Sequence, residues 1–304
     1  MTVPTGFVLG AGLGTRLKSL TSRRPKPLIP VVNRPLISYA FDHLLGAGVE
    51  RFVVNTHWRA EAYDTAFPEK RYRGAPITFV HESPLVLETG GGIKNAETHL
   101  RGGPFWVYNG DILSTLPLES ALRAHFESGN EVTLVLRSSG GTLNVAFEHG
   151  RVVDLRNTFG RGGGFLFTGI CLMNPEFFAR IPAATVISVV PIFCDMIRAG
   201  ATVGGVVIDE GEWWDLGTRE EYLAVHRALH GGSEPWIAPN AKIASTAQIS
   251  GATAIGHGAQ IGDNVKLHDC LVWENAKIGA GSQFERCIIT DASLAEGTLT
   301  DADV

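Results

Sequence analysis

Gly10-Ala11-Gly12-Leu13-Gly14-Thr15-Arg16-Leu17, closed by Pro25-Lys26-Pro27-Leu28, is the stretch around which the rest of the chain is organised. It follows Phe7-Val8-Leu9, an apolar run that predicts a buried strand entering a glycine-rich turn. Three glycines in five positions let the backbone fold tightly and aim its N–H groups at one point. Such a nest at a helix start holds phosphate. Arg16, Lys18, Arg23, Arg24, Lys26 and Arg34 all precede the first carboxylate, Asp42. So basic a segment in a chain of net charge -5 calls for a local anionic partner. Two common phosphate loops are excluded. No Lys-Ser or Lys-Thr follows the last glycine, and Thr15 stands where a G-x-G-x-x-G fingerprint needs its third glycine.

A length of 304 residues suggests about two domains, and 44% hydrophobic residues suffice for a packed core. No apolar run approaches the ~18 residues of a membrane span. Residues 1–6 lack a basic stretch, so no signal peptide is expected and the cytoplasm is the expected location. Cys171, Cys194, Cys270 and Cys287 are scattered without a C-x-x-C pair and read as reduced, buried thiols. Mild acidity without aromatic-basic interleaving argues against a nucleic-acid partner.

From residue 7 to about 230, strand-like and helix-like segments alternate. Strands are expected at 51–55, 77–81, 105–109, 132–137 and 203–208, and helices at 36–45, 59–67, 118–128 and 189–199. This pattern predicts an α/β, Rossmann-like, mainly parallel sheet with helices on both faces. Ligands then gather at the carboxyl ends of the strands, which puts the Gly10 loop and the residues after His81 and Asn109 on one rim. At Trp236 the texture changes. Ile237, Ile243, Ile249, Ile255, Ile261 and Leu267 recur every six residues, the period of a hexapeptide parallel β-helix. The period slips after Leu267 and resumes at Ile278, so a loop or irregular face is expected near 269–277. The expected domains are 1–230, a linker at 231–235 and a β-helix of roughly three coils at 236–304. Its end has no capping helix, so it is expected to be covered by another subunit, in a homo-oligomer, or by the catalytic domain.

G-x-G-T-R-L followed by P-K-P-L at this spacing resembles the signature of the sugar-1-phosphate nucleotidyltransferases. The resemblance extends over nearly the whole chain and implies a left-handed β-helix. It further implies transfer from a nucleoside triphosphate to a sugar 1-phosphate, giving a nucleotide-diphosphate sugar and pyrophosphate. On it, Leu9, Gly10, Ala11, Gly12, Leu13, Gly14 and Thr15 cradle the nucleotide, Arg16 clamps its β/γ-phosphates, and Lys26 places charge near the α-phosphate. Lys18, Arg23 and Arg24 are read as a solvated basic face. Asp111 in Asn109-Gly110-Asp111 and Asp215 in Trp213-Trp214-Asp215-Leu216-Gly217-Thr218 match the family's Mg²⁺ ligands. Taken alone, Gly110-Asp111 could be a turn and Asp215 a helix cap. Glu82, Glu88, Thr89 and Gly90 are candidates for the nucleotide.

Asn109, Asn144, Arg156, Thr168 and Gly169 are candidates for the sugar side. Many members carry Glu-Lys-Pro where this chain continues Arg156-Asn157-Thr158-Phe159, so either Arg156 or Arg161 supplies the charge or the contact is absent. Gly160-Arg161-Gly162-Gly163-Gly164 reads either as a flap or as a plain surface loop. His57-Trp58 is read as core packing. Glu88-Thr89-Gly90-Gly91-Gly92-Ile93 is worded like the N-acetylmuramate-1-phosphate uridylyltransferases, whereas the β-helix is commoner in mannose-1-phosphate guanylyltransferases, so the base stays open. Two rival readings are a non-catalytic relative that binds a nucleotide sugar, and an acyltransferase using His257 or His268, neither of which shows an evident partner in the sequence.

Overall fold

The computed structural model describes residues 2–291 and 293–304; the side chain of Lys18, and with it the expectation that Lys18 is solvated, lies outside the described part. The chain divides into two compact units. The first comprises 1–13, 25–28 and 36–215, the second 14–24, 29–35 and 216–304.

In chain order, the strands of the first unit are β1 (Thr5–Leu9), β2 (Arg51–Thr56), β3 (Arg71–Tyr72), β4 (Ala75–His81), β5 (Phe105–Asn109), β6 (Ile112–Ser114), β7 (Val132–Arg137), β8 (Val145–Glu148), β9 (Arg151–Leu155), β10 (Leu166–Met173), β11 (Val203–Val207) and β12 (Trp213–Asp215). Ten of them form one sheet in the order β8-β9-β11-β7-β10-β5-β1-β2-β4-β3. β1 is parallel to both β2 and β5, and β2 to β4. β10 is the exception within the centre, antiparallel to β5 and β7. Alternating side chains supply two cores, one per face. Val8, Trp106 and Tyr108 pack with the helices Ile37–Gly46 and Glu119–Glu127, while Phe7, Phe105 and Val107 pack with Glu88–Asn95 and Val189–Arg198. Every strand and helix expected from the alternation is present within a few residues of its expected bounds.

The second unit holds the helix Arg219–His230 and the β-helix. Three parallel sheets of four short strands stack rung on rung as a left-handed β-helix, the first running 236–237, 254–255, 271–272 and 288–289. Ile255, Ile261, Leu267, Ile278, Phe284 and Ile289 fill its interior. The expected irregular face at 269–277 is in fact regular. Leu271 pairs with Ala254 and Lys277 with Gln260, so the second rung is one residue shorter and its corner tightens at Asp269, whose φ is 53°. Four rungs replace the three expected. All four cysteines are buried and unbridged, as anticipated.

The same unit contains the signature segment Gly14–Arg24 and the turn 29–35. The nest does not open an α-helix. Gly14, left-handed with φ 62°, starts a 3-10 segment at Thr15–Thr21. Asn33 Nδ2 donates to the Ile255 carbonyl at 2.9 Å, and the Val32 N–H donates to His226 Nε2 at 3.2 Å. Burial holds the His226 imidazole down to about 4, so it is the neutral acceptor this bond requires.

Candidate active site

Two aspartates more than a hundred positions apart meet because their strands pair. β12 runs antiparallel to β6, with Asp215 opposite Ile112, the neighbour of Asp111. Between them lies the buried Lys26 ammonium, 2.8 Å from Asp111 Oδ2 and 3.6 Å from Asp215 Oδ1. The two carboxylates are therefore no farther apart than those distances combined, and both side chains remain about one-third exposed. Asp215 does not cap the following helix. That role belongs to Thr218, whose hydroxyl accepts the Glu221 N–H while Glu221 accepts the Thr218 N–H. Asp215 is left for the rim.

Gly10 closes β1 under tight constraint. A Cβ there would stand 2.6 Å from the Asn55 carbonyl and 2.9 Å from the Tyr63 hydroxyl. Its N–H donates to Asn55 Oδ1 at 2.8 Å and its carbonyl accepts from Tyr63 at 2.7 Å. Ala11 is buried, whereas Leu13 is half exposed. Gly12 differs from Gly10: its φ is ordinary and nothing lies within 4 Å of where a Cβ would be. At Gly110 a Cβ would meet the Leu9 carbonyl at 2.4 Å, so its small size serves the packing of two strand ends.

Asn55 was missed by the sequence reading and is central to this rim. Its Nδ2 donates to Glu82 Oε1 at 2.7 Å, and Glu82 Oε2 accepts the Leu87 N–H at 2.7 Å. Glu82 is thus a buried carboxylate with both oxygens taken by the chain, linking the Gly10 turn to the 82–87 segment rather than pointing at a ligand. Thr89 and Gly90 are likewise turned inward. Thr89 Oγ1 accepts the Val189 N–H at 2.8 Å, and the Gly90 N–H donates to the Ile187 carbonyl at 2.8 Å. Glu88 is exposed and holds a left-handed φ of 59°, a costly conformation for this residue type. His57 is not core packing: half-buried, it places Nδ1 2.8 Å from the Glu82 carbonyl.

On the other side of β5, Asn109 covers Gly169, where a Cβ would stand 2.5 Å from Asn109 Nδ2 and φ is 80°. Thr168 is corrected. It is buried, its hydroxyl donating to the Val135 carbonyl at 2.9 Å. Asn144 is half-buried, its backbone N–H donating to the Phe165 carbonyl at 2.9 Å. Arg156 is exposed with φ 56°, and Arg161 lies 3.8 Å from Glu148. The glycine run 160–164, which contains Arg161, belongs to a built loop. The buried Asp154 Oδ2 accepts the N–H groups of Phe159 and Arg161 at 3.1 and 3.0 Å.

Gly14, Thr15 and Arg16 belong to the second unit, where the Arg16 guanidinium lies over Gly217, 2.4 Å from the position of a Cβ. Arg24 is not solvated as expected; its partners lie on the β-helix. His257 and His268 do have partners, Asn240 Oδ1 at 2.8 Å and Ser250 Oγ at 3.0 Å. His268 also has a carboxylate near it, Asp269 Oδ2, but at 3.9 Å from Nε2 it is beyond the hydrogen-bond reach by which a carboxylate orients a catalytic imidazole.

Residues 5–141 match the nucleotidyl transferase family model, and residues 233–298 match that of the GMPPB C-terminal domain. A mannose-1-phosphate guanylyltransferase of Mycobacterium tuberculosis is 29% identical over 92% of this chain and 82% of its own length. An N-acetylmuramate alpha-1-phosphate uridylyltransferase of Caulobacter vibrioides is 31% identical over 73% of this chain and 96% of its own. The solved inositol-1-phosphate CTP transferase of T. maritima shares the fold, with a TM-score of 0.63 at 19% identity over 73% of this chain and 92% of its own. With Lys26, Asp111 and Asp215 drawn together at the end of a mainly parallel sheet and a β-helix following, the chain belongs to the sugar-1-phosphate nucleotidyltransferases.

Proposed function

We propose that this enzyme joins GTP and mannose 1-phosphate in a Mg²⁺-dependent reaction. The observation that carries the chemistry is the Lys26 ammonium shared by Asp111 and Asp215. What favours this base and sugar is the guanylyltransferase relative's coverage of 92% of the chain, β-helix included. A second reading, UTP with N-acetylmuramate 1-phosphate, is favoured by the 31% identity of the Caulobacter relative and by the wording of residues 88–93.

A sugar-phosphate oxygen is already anionic at neutral pH and needs no strong base. It attacks the α-phosphorus in line, the new O–P bond forms, and the bond to the pyrophosphate bridging oxygen breaks. Positioning and charge stabilisation therefore dominate the barrier. Two carboxylates about one-third exposed are hard oxygen donors that suit Mg²⁺ completed by phosphate oxygens and water, so Asp111 and Asp215 are its proposed ligands. Bound there, the ion supplies positive charge against the phosphate oxygens. In this role Lys26 turns its ammonium to the α-phosphate. Arg16 takes the β/γ-phosphates with its planar fork. The backbone at 9–15 lines the nucleotide side and Glu88 its exposed edge, with Glu82, Thr89 and Gly90 shaping that edge from within. Asn109, Gly169, Asn144 and Arg156 face the sugar, with Thr168 fixing the backbone beneath them.

Among the described residues no helix is long and apolar enough to cross a membrane, in keeping with a proposed cytoplasmic location. Leu294, 64% exposed in the last rung, supports the proposed homo-oligomer. The deciding experiment is pyrophosphate release from five nucleoside triphosphates against mannose, glucose, N-acetylglucosamine and N-acetylmuramate 1-phosphates. GTP with mannose 1-phosphate should lead. A UTP and N-acetylmuramate maximum would replace the first reading by the second, and no release from any pair would remove both. Lys26→Ala should slow the best pair by well over ~10-fold; an unchanged rate would make Lys26 structural.

A further inference from the structure

Arg24 closes the segment that begins at Gly14 and carries Arg16, and its guanidinium is gripped by the β-helix. It lies 3.0 Å from Glu274 Oε2, 3.9 Å from Asp291 Oδ1 and 5.2 Å above the ring of the buried Trp273. All three partners come from the last two rungs, some 250 residues downstream. A second contact lies midway along the segment, where the Ser19 hydroxyl donates to Asp303 Oδ2 at 3.4 Å. Asp303 is itself fixed by Arg219 Nε at 2.7 Å, at the start of the helix that follows Gly217. Gly217 in turn is where the Arg16 guanidinium rests.

Within the segment Leu17 and Leu20 are buried and the Thr21 hydroxyl donates to the Gly14 carbonyl at 2.9 Å, so its middle is packed while Arg24 ties down its end. Thr15–Thr21 is a 3-10 stretch, whose hydrogen bonds are poorer than those of an α-helix. An isolated surface ion pair would contribute little. Here one half-buried guanidinium meets two carboxylates and an aromatic face, and the attachment fixes the end of a loop rather than a side chain on a formed helix.

We propose that Glu274 and Trp273 are positioning residues for the nucleotide, the β-helix acting through Arg24 to hold Arg16 where it receives the β/γ-phosphates. This rests on the reading of Arg16 given above. It assigns the β-helix a part in triphosphate binding, without any β-helix residue touching substrate. A misplaced Arg16 removes binding to the triphosphate alone, so the loss falls on one KM.

The test uses the full chain with Glu274→Gln, Arg24→Ala, their double variant and Arg16→Ala. Glu274→Gln should raise the KM for the triphosphate about 5- to 10-fold, while the KM for the sugar phosphate changes less than about 2-fold. The double variant should be no worse than Arg24→Ala alone, since both cut the same link. Hydrogen exchange at the amides of 14–24 should quicken in Glu274→Gln, with the interior strands of the β-helix unchanged. Equal effects on both KM values, or a lowered melting temperature with wild-type kinetics, would make the contact merely structural and overturn the proposal. Unchanged exchange at 14–24 would remove the brace itself. An unchanged triphosphate KM in Arg16→Ala would instead remove the reading of Arg16, and the proposed consequence with it.

Discussion

The chain has two glycine runs beside its candidate site, Gly10 to Gly14 and Gly90 to Gly92, and they are glycine for opposite reasons. In the second run every position is boxed in by protein. A Cβ on Gly91 would stand 2.4 Å from the Thr185 carbonyl, and one on Gly92 2.7 Å from both Asn55 Nδ2 and Glu82 Oε1. In the first run Gly10 is boxed in the same way, but Gly12 meets nothing within 4 Å and has no unusual φ. Neither packing nor backbone strain accounts for glycine at 12, and room for a bound phosphate is the proposed reason. The boxed glycines let 183–189 close over the helix Glu88–Asn95 and let the Asn55–Glu82 pair form. The open one keeps clear the space above β1. Alanine in the boxed run should therefore be felt in stability, and changes on the open rim in turnover.

The largest effect is expected on the open rim. Asp111→Asn keeps the shape of a one-third-exposed side chain but removes the charge facing Lys26. Turnover should fall by more than roughly 100-fold at every Mg²⁺ concentration, with little change in melting temperature. A variant with wild-type turnover would erase the functional half of the contrast. Next comes Gly91→Ala, where the obstruction is backbone and cannot rotate away. Overpacking of this kind costs about 1–3 kcal/mol, read as a shifted urea midpoint. If the folded fraction also lost its activity, the boxed run would belong to the site after all.

These two runs show how far the sequence could be read. The order of strands and helices, the six-residue period and the choice of Lys26, Asp111 and Asp215 as site candidates all rest on local pattern or on motifs of fixed spacing. What escaped depends on direction and on distant partners. A carboxylate just after a strand is written the same whether it faces in or out, and Glu82 faces in. Asn55 is one polar residue at the end of an apolar strand. Only the pairing of β1 with β2 and β2 with β4 puts it between Gly10 and Glu82. Arg24 passed for a solvated cation because Glu274 is far along the chain. The irregular face expected at 269–277 was a single missing residue, which breaks the period without breaking the ladder.

The smallest effect is also the most discriminating. Gly12→Ala adds one methyl group where the protein has room for it, so the melting temperature should stay within about a degree of wild type, alanine if anything restricting the unfolded chain. If the space is kept for a phosphate oxygen approaching the backbone N–H groups, that methyl stands in its way. The KM for the triphosphate should then rise about 3- to 10-fold, with the KM for the sugar phosphate unmoved. The size is modest because a single methyl can be met by a small shift of a flexible triphosphate. Gly10→Ala, five positions from the start of β1, supplies the control. It places its methyl against Asn55 and Tyr63 and should cost stability first. Should Gly12→Ala behave like Gly10→Ala, or change nothing, the open glycine would have no ligand to explain it and the contrast between the runs would close.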